Sequence, residues 1–399
     1  MSQAIRGRRI WLLAFLIVLL AETIAVEKGN LSKIIYAGEP AAQRQADRAP
    51  KVIERAPMRF IKDPNPGYSS VAVDSDHHML IATDENNFQI MEYDNKDNTP
   101  PKARLTEPKR IIGGTNTKAE YMCGSYIDPK TQEIYILNGD TQPWLPVFAP
   151  DARGNATPER YLRQGMVFQM AMNEERQEMY LAVQSGGIYV YRKQASGEEK
   201  PLRKIQGPQA QLADLHGIAL DTKNNLIFVT GWGMGSKTGE DGIRYGTYEP
   251  PSIKVFPMLA SGDVKPLHII QGPKAMLNWP THLALHQERQ ELYVANDADN
   301  SILVFRTTAE GDAAPLRVIK GAKTGLRSPT GLALDAKLGE LFVTNYGTPA
   351  ISVFPITADG DIPPIRMIRG GPVGTVGFGF GNPGGVAYDS KREQILVPN

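Results

Sequence analysis

Short apolar runs separated by polar turns fill most of the chain. "GLALD" (331–335) and "ELFVTN" (340–345) are rich in apolar and β-branched residues and flank a polar turn. "ISVFPI" (351–356) and "PIRMIRG" (364–370) form a second pair across "ADGD", whose glycine supplies the positive φ that a tight hairpin needs. No 3.6-residue apolar period runs through these segments, which argues against a helical solenoid. The pattern predicts strands joined as hairpins.

The hairpins repeat. "SPTGLALDAKLGELFVTN" (328–345) matches "WPTHLALHQERQELYVAN" (279–296) and "DLHGIALDTKNNLIFVTG" (214–231). More distant copies begin at 68, 123, 168 and 384, which makes seven. Asp74, Asp128, Asn173, Asp221, His286, Asp335 and Asp389 occupy one aligned position. The second hairpin recurs as 188–207, 253–272, 302–321 and 351–370, with a weaker copy at 147–165. One unit is therefore four strands, A to D, and a tandem series of such units predicts an all-β fold, a β-propeller. Seven A–B pairs face only six following C–D pairs. "SKIIYA" with "PKVIE" or "PMRFIK", within 31–63, reads as the missing C and D strands. The expectation is a seven-bladed ring closed by these N-terminal strands against the last A–B pair, beside Asn399. A six-bladed ring is the alternative. Closure would remove exposed sheet edges.

Composition narrows the setting. The 399 residues carry a net charge of +1 without a basic footprint, so nucleic acid is not an expected partner. The single Cys123 allows no intrachain disulfide, thiolate metal cluster or C-x-x-C-H haem site. "MSQAIRGRR" precedes the 12-residue apolar run Ile10–Ala21, with Thr23 and Ala25 as small residues at a cleavage site. Residues 1–25 thus read as a signal peptide and 26–399 as a single propeller domain. The run falls short of the roughly 20 residues of a membrane span, and a membrane contact follows only if the segment stays uncleaved. The expected location is exported, periplasmic or extracellular.

In an up-and-down blade the D→A and B→C connections share one face. Two insertions fall there: 232–251 in the fourth unit and the Gly-rich 371–385. Long loops on a rigid scaffold are where binding residues gather. The expected ligand- or partner-binding residues are Trp232, Glu240, Asp241, Arg244, Tyr245, Tyr346, Phe378 and Phe380. Residues just before strand A should line the channel mouth, which brings His216 and His282 into adjacent blades near the axis. With Asp297 or Asp84 they would form an acid–base or divalent-metal cluster, since imidazole and carboxylate suit a metal that activates water. The bland alternative is that the recurring Asn138, Asn296 and Asn345 cap B–C turns and the histidines satisfy backbone groups. Met166, Met170 and Met172 are expected in the core, and Arg203, Arg317 and Arg366 on outer D strands beside carboxylates.

"PTGLALD", "LFVTNYG" with "ISVF", and "LYVANDADNSILVF" resemble the YVTN and NHL-type propeller repeats, a loose family that includes lactonase-like seven-bladed proteins. The resemblance spans about residues 31–399. It implies a funnel-shaped ring with ligands near the central channel, but the family holds sugar lactonases, other enzymes and pure binding scaffolds. Its metal-dependent lactonases use a Glu with Asn and Asp around the axis, and no Glu stands at the channel positions here. The preferred expectation is an exported binding scaffold for a small ligand, a glycan or a protein. A lactonase-like hydrolase using the His216/His282 mouth is the rival. An accessory subunit of a cell-envelope complex, docking through 232–251, is the third.

Overall fold

The B strands of the complete blades are buried almost end to end because each blade is covered on both faces by its neighbours. "ELYVAN" (Glu291–Asn296) is buried at all six positions, and so are Met79–Asp84, Glu178–Val183 and Glu340–Asn345. The computed structural model describes residues 68–84, 87–94, 96–97, 107–139, 142–238, 240–347, 350–369 and 386–397. These all lie within the unit spanning 49–399.

Six four-stranded antiparallel sheets follow one another along the chain. Their A strands are Tyr68–Asp74, Met122–Ile127, Val167–Asn173, Leu215–Asp221, Pro280–His286 and Pro329–Asp335. B, C and D strands lie outward of these in sequence order, as in Glu291–Asn296, Ser301–Arg306 and Arg317–Ile319 of blade 5. Successive A strands touch, and a seventh A–B pair, Ala387–Asp389 with Gln394–Leu396, sits between the A strands of blades 6 and 1. The protein is thus an all-β propeller with six complete blades and a closing pair among the described residues. At this closure Ser75 Oγ donates to Asp389 Oδ1 at 2.6 Å, Arg392 donates to the Ser75 carbonyl at 2.8 Å, and Tyr388 bonds Asp335. The strands expected from 31–63, and Asn399 itself, lie outside the described residues, as does the apolar run 10–21. Among the described residues no helix is long and apolar enough to cross a membrane.

The "GD" of the C–D turn turns out to join blades. Gly360 of blade 6 donates to the Val318 carbonyl on strand D of blade 5 at 2.7 Å and accepts from Lys320 N–H at 3.3 Å. The same parallel bridge recurs at Ile112–Gly154, Leu162–Gly197, Ile205–Gly262 and Ile270–Gly311. The next residue reaches across as well. Asp361 Oδ1 accepts from Lys323 N–H at 2.7 Å, capping the 3-10 turn Ala322–Thr324 that follows strand D of blade 5. Asp312 and Asp263 do the same for Lys274 and Gln209, and Asn155 for Asn116. Blade 3 has Glu198 at this position, and there the D→A link after Arg163 is too short to contain a turn that needs capping.

Two further recurring contacts set the blade ends. The aligned Asp caps its own A–B turn: Asp335 Oδ1 accepts from Lys337 and Leu338 N–H, both at 2.9 Å. The B-terminal asparagines do more than close the B–C turns that their recurrence predicts, where the amides of Asn296 and Asn345 donate to Ser301 Oγ at 3.0 Å and Ser352 Oγ at 3.2 Å. Asn296 Oδ1 accepts from Asn278 N–H at 2.6 Å and its amide donates to the Met276 carbonyl at 3.0 Å. Asn138 and Asn345 likewise bind Glu120 and Arg327 N–H, both at 3.0 Å. They clamp the incoming D→A segment against the same blade, because that segment carries backbone N–H groups with no strand to pair with.

On the opposite side, the first residue of strand B pairs with strand D. Glu291 accepts from Arg317 at 3.1 and 2.8 Å, with Arg289 and the Tyr293 hydroxyl completing the group. Arg203 meets Glu178 at 2.7 Å in the same way, as the sequence predicts for these arginines; the side chain of Arg366 is outside the described residues. Burial raises the Glu291 pKa, but its hydrogen bonds to Arg317, Arg289 and Tyr293 outweigh this and hold it at about 2, against 4.5 unperturbed.

Two outcomes are expected. A Cβ on Gly321 (φ +132°) would lie 2.3 Å from Asp361, whereas one on Gly360 (φ +78°) meets nothing within 4 Å. Gly321→Ala should therefore lower unfolding stability by about 3 kcal/mol and Gly360→Ala by about 1 kcal/mol, measured in urea. A folded pKa below the unfolded one means Glu291 stabilises fully above about pH 4.5 and loses this as pH falls toward 2. Glu291→Gln should cost about 3 kcal/mol at pH 7 and progressively less below pH 4.5.

Candidate functional site

The latches and clamps consume backbone groups and leave one set of side chains free: those on the rim where D→A enters and B→C leaves. The residue before strand A and the residue after strand B share a backbone bond there. Trp232 N–H donates to the Asp214 carbonyl at 3.2 Å, Asp297 to Trp279 at 3.2 Å, and Tyr346 to Ser328 at 2.9 Å. Tyr121, Asp214, Trp279 and Ser328 all have left-handed backbones there (φ 42–52°). Since the main chain does the bonding, the side chains at these positions can differ from blade to blade.

At blades 3 to 5 two of these side chains, Trp232 and Trp279, join Phe168 and His216 of strand A in a continuous ring stack. Phe168 lies on His216 (centroids 4.5 Å, 16° between planes), His216 on Trp232 (3.6 Å, 6°), and Trp232 on Trp279 (5.0 Å, 6°). His216 Nε2 is 3.3 Å from Asp214 Oδ1, and both side chains are largely buried. Trp279 ends the stack and is 45% exposed. Beside it a cavity of about 550 Å³ is lined by Trp232, Trp279, Tyr248, Met234, Asn278 and the Asp299–Lys320 ion pair (2.6 Å), among others.

Insertion 232–251 forms a hairpin, Met234–Thr238 paired with Arg244–Tyr248. It carries Tyr248 into the cleft wall. At its tip Tyr245 donates to Asp241 Oδ2 at 2.5 Å and Glu240 is exposed. Tyr346 is exposed on the blade 6 rim. Nothing is described of the Arg244 side chain, and Phe378 and Phe380 lie outside the described residues.

The acid–base candidates are placed unequally. Asp84 is buried and caps its own turn, accepting from Asn87 N–H at 3.0 Å and from the Asn87 amide at 2.8 Å. His282 and Asp297 belong to blade 5 on the mouth face. Burial depresses the His282 pKa, and the charge of His216 adds to this, while a hydrogen bond to the Thr330 backbone opposes it. Burial raises the carboxyl of Asp297, partly offset by a hydrogen bond to Ser328. Among the described residues no three His, Cys, Asp or Glu side chains converge as a metal-binding group. His216 is engaged in the ring stack and with Asp214 instead.

Several buried polar atoms without a partner in the protein lie here: Trp232 Nε1, Asp214 Oδ2, His282 Nδ1 and Thr330 Oγ1. Other residues expected at the channel mouth tie A strands together. Gln169 Oε1 accepts from Ile218 N–H at 2.8 Å, Thr281 Oγ1 donates to the Thr330 carbonyl at 3.3 Å, and Cys123 Sγ to the Val167 carbonyl at 3.1 Å. Met166 is exposed on the rim rather than buried, because it occupies the position before strand A; Met170 and Met172 pack into the core. Sequence reasoning missed Trp279, Tyr248 and the Asp299–Lys320 pair. "NWPT" against "RSPT" in the next copy was the available signal for Trp279: an indole where the copy most like it has a serine.

Two stacked indoles couple their electronic transitions. Circular dichroism should show a paired positive and negative band, and this should vanish in Trp279→Asn, which keeps a residue tolerant of the left-handed backbone.

Residues 243–370 match the family model described as Lactonase, 7-bladed beta-propeller. No curated protein matches the sequence significantly. Among solved structures the chain is similar to the crystal structure of the WD40 beta propeller domain of Doa1, at 10% identity and a TM-score of 0.57, over 85% of this chain and 91% of that one. At that identity the likeness is one of fold. The chain is a β-propeller that, from the hairpin of blade 4 to strand D of blade 6, is similar to the lactonase-type seven-bladed propellers.

Proposed function

We propose that this is an exported binding protein whose ligand site is the rim of blades 4 and 5 on the D→A/B→C face. One observation carries this reading: the repeat builds its fold from backbone bonds at the rim, yet this junction alone among the described blades presents stacked indoles, one of them 45% exposed beside a cavity. Large exposed aromatic surface without a partner marks interaction sites, and cavities of roughly 300–1,000 Å³ suit small ligands. The basic n-region and short apolar run at the N-terminus support export.

A second reading is a lactonase-like hydrolase, favoured by the family-model match over 243–370 and by the depressed His282 and raised Asp297 at the same mouth. In it His216, oriented by Asp214, takes a proton from water as the water adds to the lactone carbonyl. The ring C–O bond then breaks and the departing alkoxide takes that proton back.

Tryptophan emission of residues 26–399 reports on the first reading. A panel of saccharides, aldonolactones, amino acids and short peptides should contain one class that changes emission saturably, and Trp232→Phe should reduce the response. Silence across the panel from a folded protein would count against ligand binding here. For the second reading, lactone hydrolysis should fall by about 100-fold or more in His216→Ala. Unchanged hydrolysis in that variant would remove His216 from the chemistry.

A further inference from the structure

We infer that the cleft between blades 4 and 5 is a carbohydrate subsite in which Trp279 receives the apolar face of a neutral pyranose. This rests on the proposal that this rim binds a ligand, and adds the ligand's class.

The platform comes first. Trp279 has one face against Trp232, lines the cleft and has 45% of its surface exposed. Its left-handed backbone (φ 52°) and the stack behind it, down to Phe168, hold the indole in one orientation without help from a ligand. A preorganised ring loses little conformational freedom on binding. The fold does not require an indole here: Ser328 occupies the same position in blade 6 and accepts the same backbone bond, from Tyr346 N–H.

The polar groups then select the class. Lys320 Nζ and Asp299 Oδ1 form an ion pair at 2.6 Å on the cleft wall, near Asn278. One cation and one carboxylate give the wall no net charge. A cationic ligand would call for an excess of carboxylates, and an anionic one for an excess of basic groups. What remains is a donor, an acceptor and a carboxamide beside flat apolar surfaces. That pattern complements a neutral ring with C–H faces and hydroxyl edges, where adjacent hydroxyls can both give and take hydrogen bonds. Tyr248, 78% exposed on the hairpin, adds a second aromatic surface for a neighbouring sugar.

The test is calorimetric titration of residues 26–399 with cellotetraose, chitotetraose, maltotetraose and mannotetraose, with tryptophan emission followed in parallel. At least one should bind with Kd below about 1 mM. Trp279→Asn should weaken it about tenfold or more, given what an aromatic contact contributes beyond its area, and Tyr248→Ala should weaken it several-fold. Both variants should keep the wild-type unfolding midpoint, and Tyr248→Ala guards against a folding defect in the first. Failure of all four sugars, or undiminished binding by Trp279→Asn, overturns the inference. If a lactone, amino acid or peptide changes the emission where the sugars do not, the carbohydrate class fails while the binding site stands. If nothing changes it, both fail.

Discussion

The bond from one blade's C–D glycine to the preceding blade's D strand is the constraint on which this propeller depends. It is backbone to backbone, it recurs at five junctions, and it fixes how each sheet is rotated against the last. The Asp or Asn that follows the glycine adds a second tie at four of them by capping the preceding blade's turn. Glycine is needed on both sides of this tie for different reasons. Gly360 turns the hairpin, while Gly321 makes room for the incoming carboxylate. A side chain at the second position would collide with the group that makes the junction.

Because junction and blade ends are secured by main chain and by recurring Asp, Asn, Glu and Arg, the two faces of the ring differ. The A→B/C→D face carries recurring ion pairs such as Glu291–Arg317 and Glu178–Arg203. The opposite face holds a left-handed residue before most A strands, and side chains that change from blade to blade. Stability is concentrated on one side and variability on the other. The stacked Phe168, His216, Trp232 and Trp279 lie on the variable side.

The strand order, the hairpin pairs and the face on which Trp232, Asp297 and Tyr346 would gather were legible from the repeats, because one residue of register shift would turn every apolar strand residue to the wrong face. His216 stands at the start of strand A in blade 4, in company other than the expected His282 and Asp297. Its neighbours are Phe168, at the same aligned position one blade earlier, and Trp232, the residue after strand B of its own blade; the repeat marks these positions but not the stacking of their rings. Asp84 looked like a free carboxylate at a strand end and proved to be committed to Asn87. The asparagines were recognised as structural, but their partners, 18 residues upstream, follow from how the D→A segment folds back, which the repeat alone does not specify.

By itself the sequence determined the architecture: local hairpin chemistry and the burial of both faces of each blade leave a tandem four-strand repeat little alternative to a ring. Only the tertiary structure decided which residues meet at the mouth. Ring stacking, the Asp299–Lys320 pair and the cleft beside Trp279 join residues from different blades and from the 232–251 hairpin. Such contacts depend on the rotation between neighbouring sheets and on where a long insertion lands. Both are set by the packing of the whole ring.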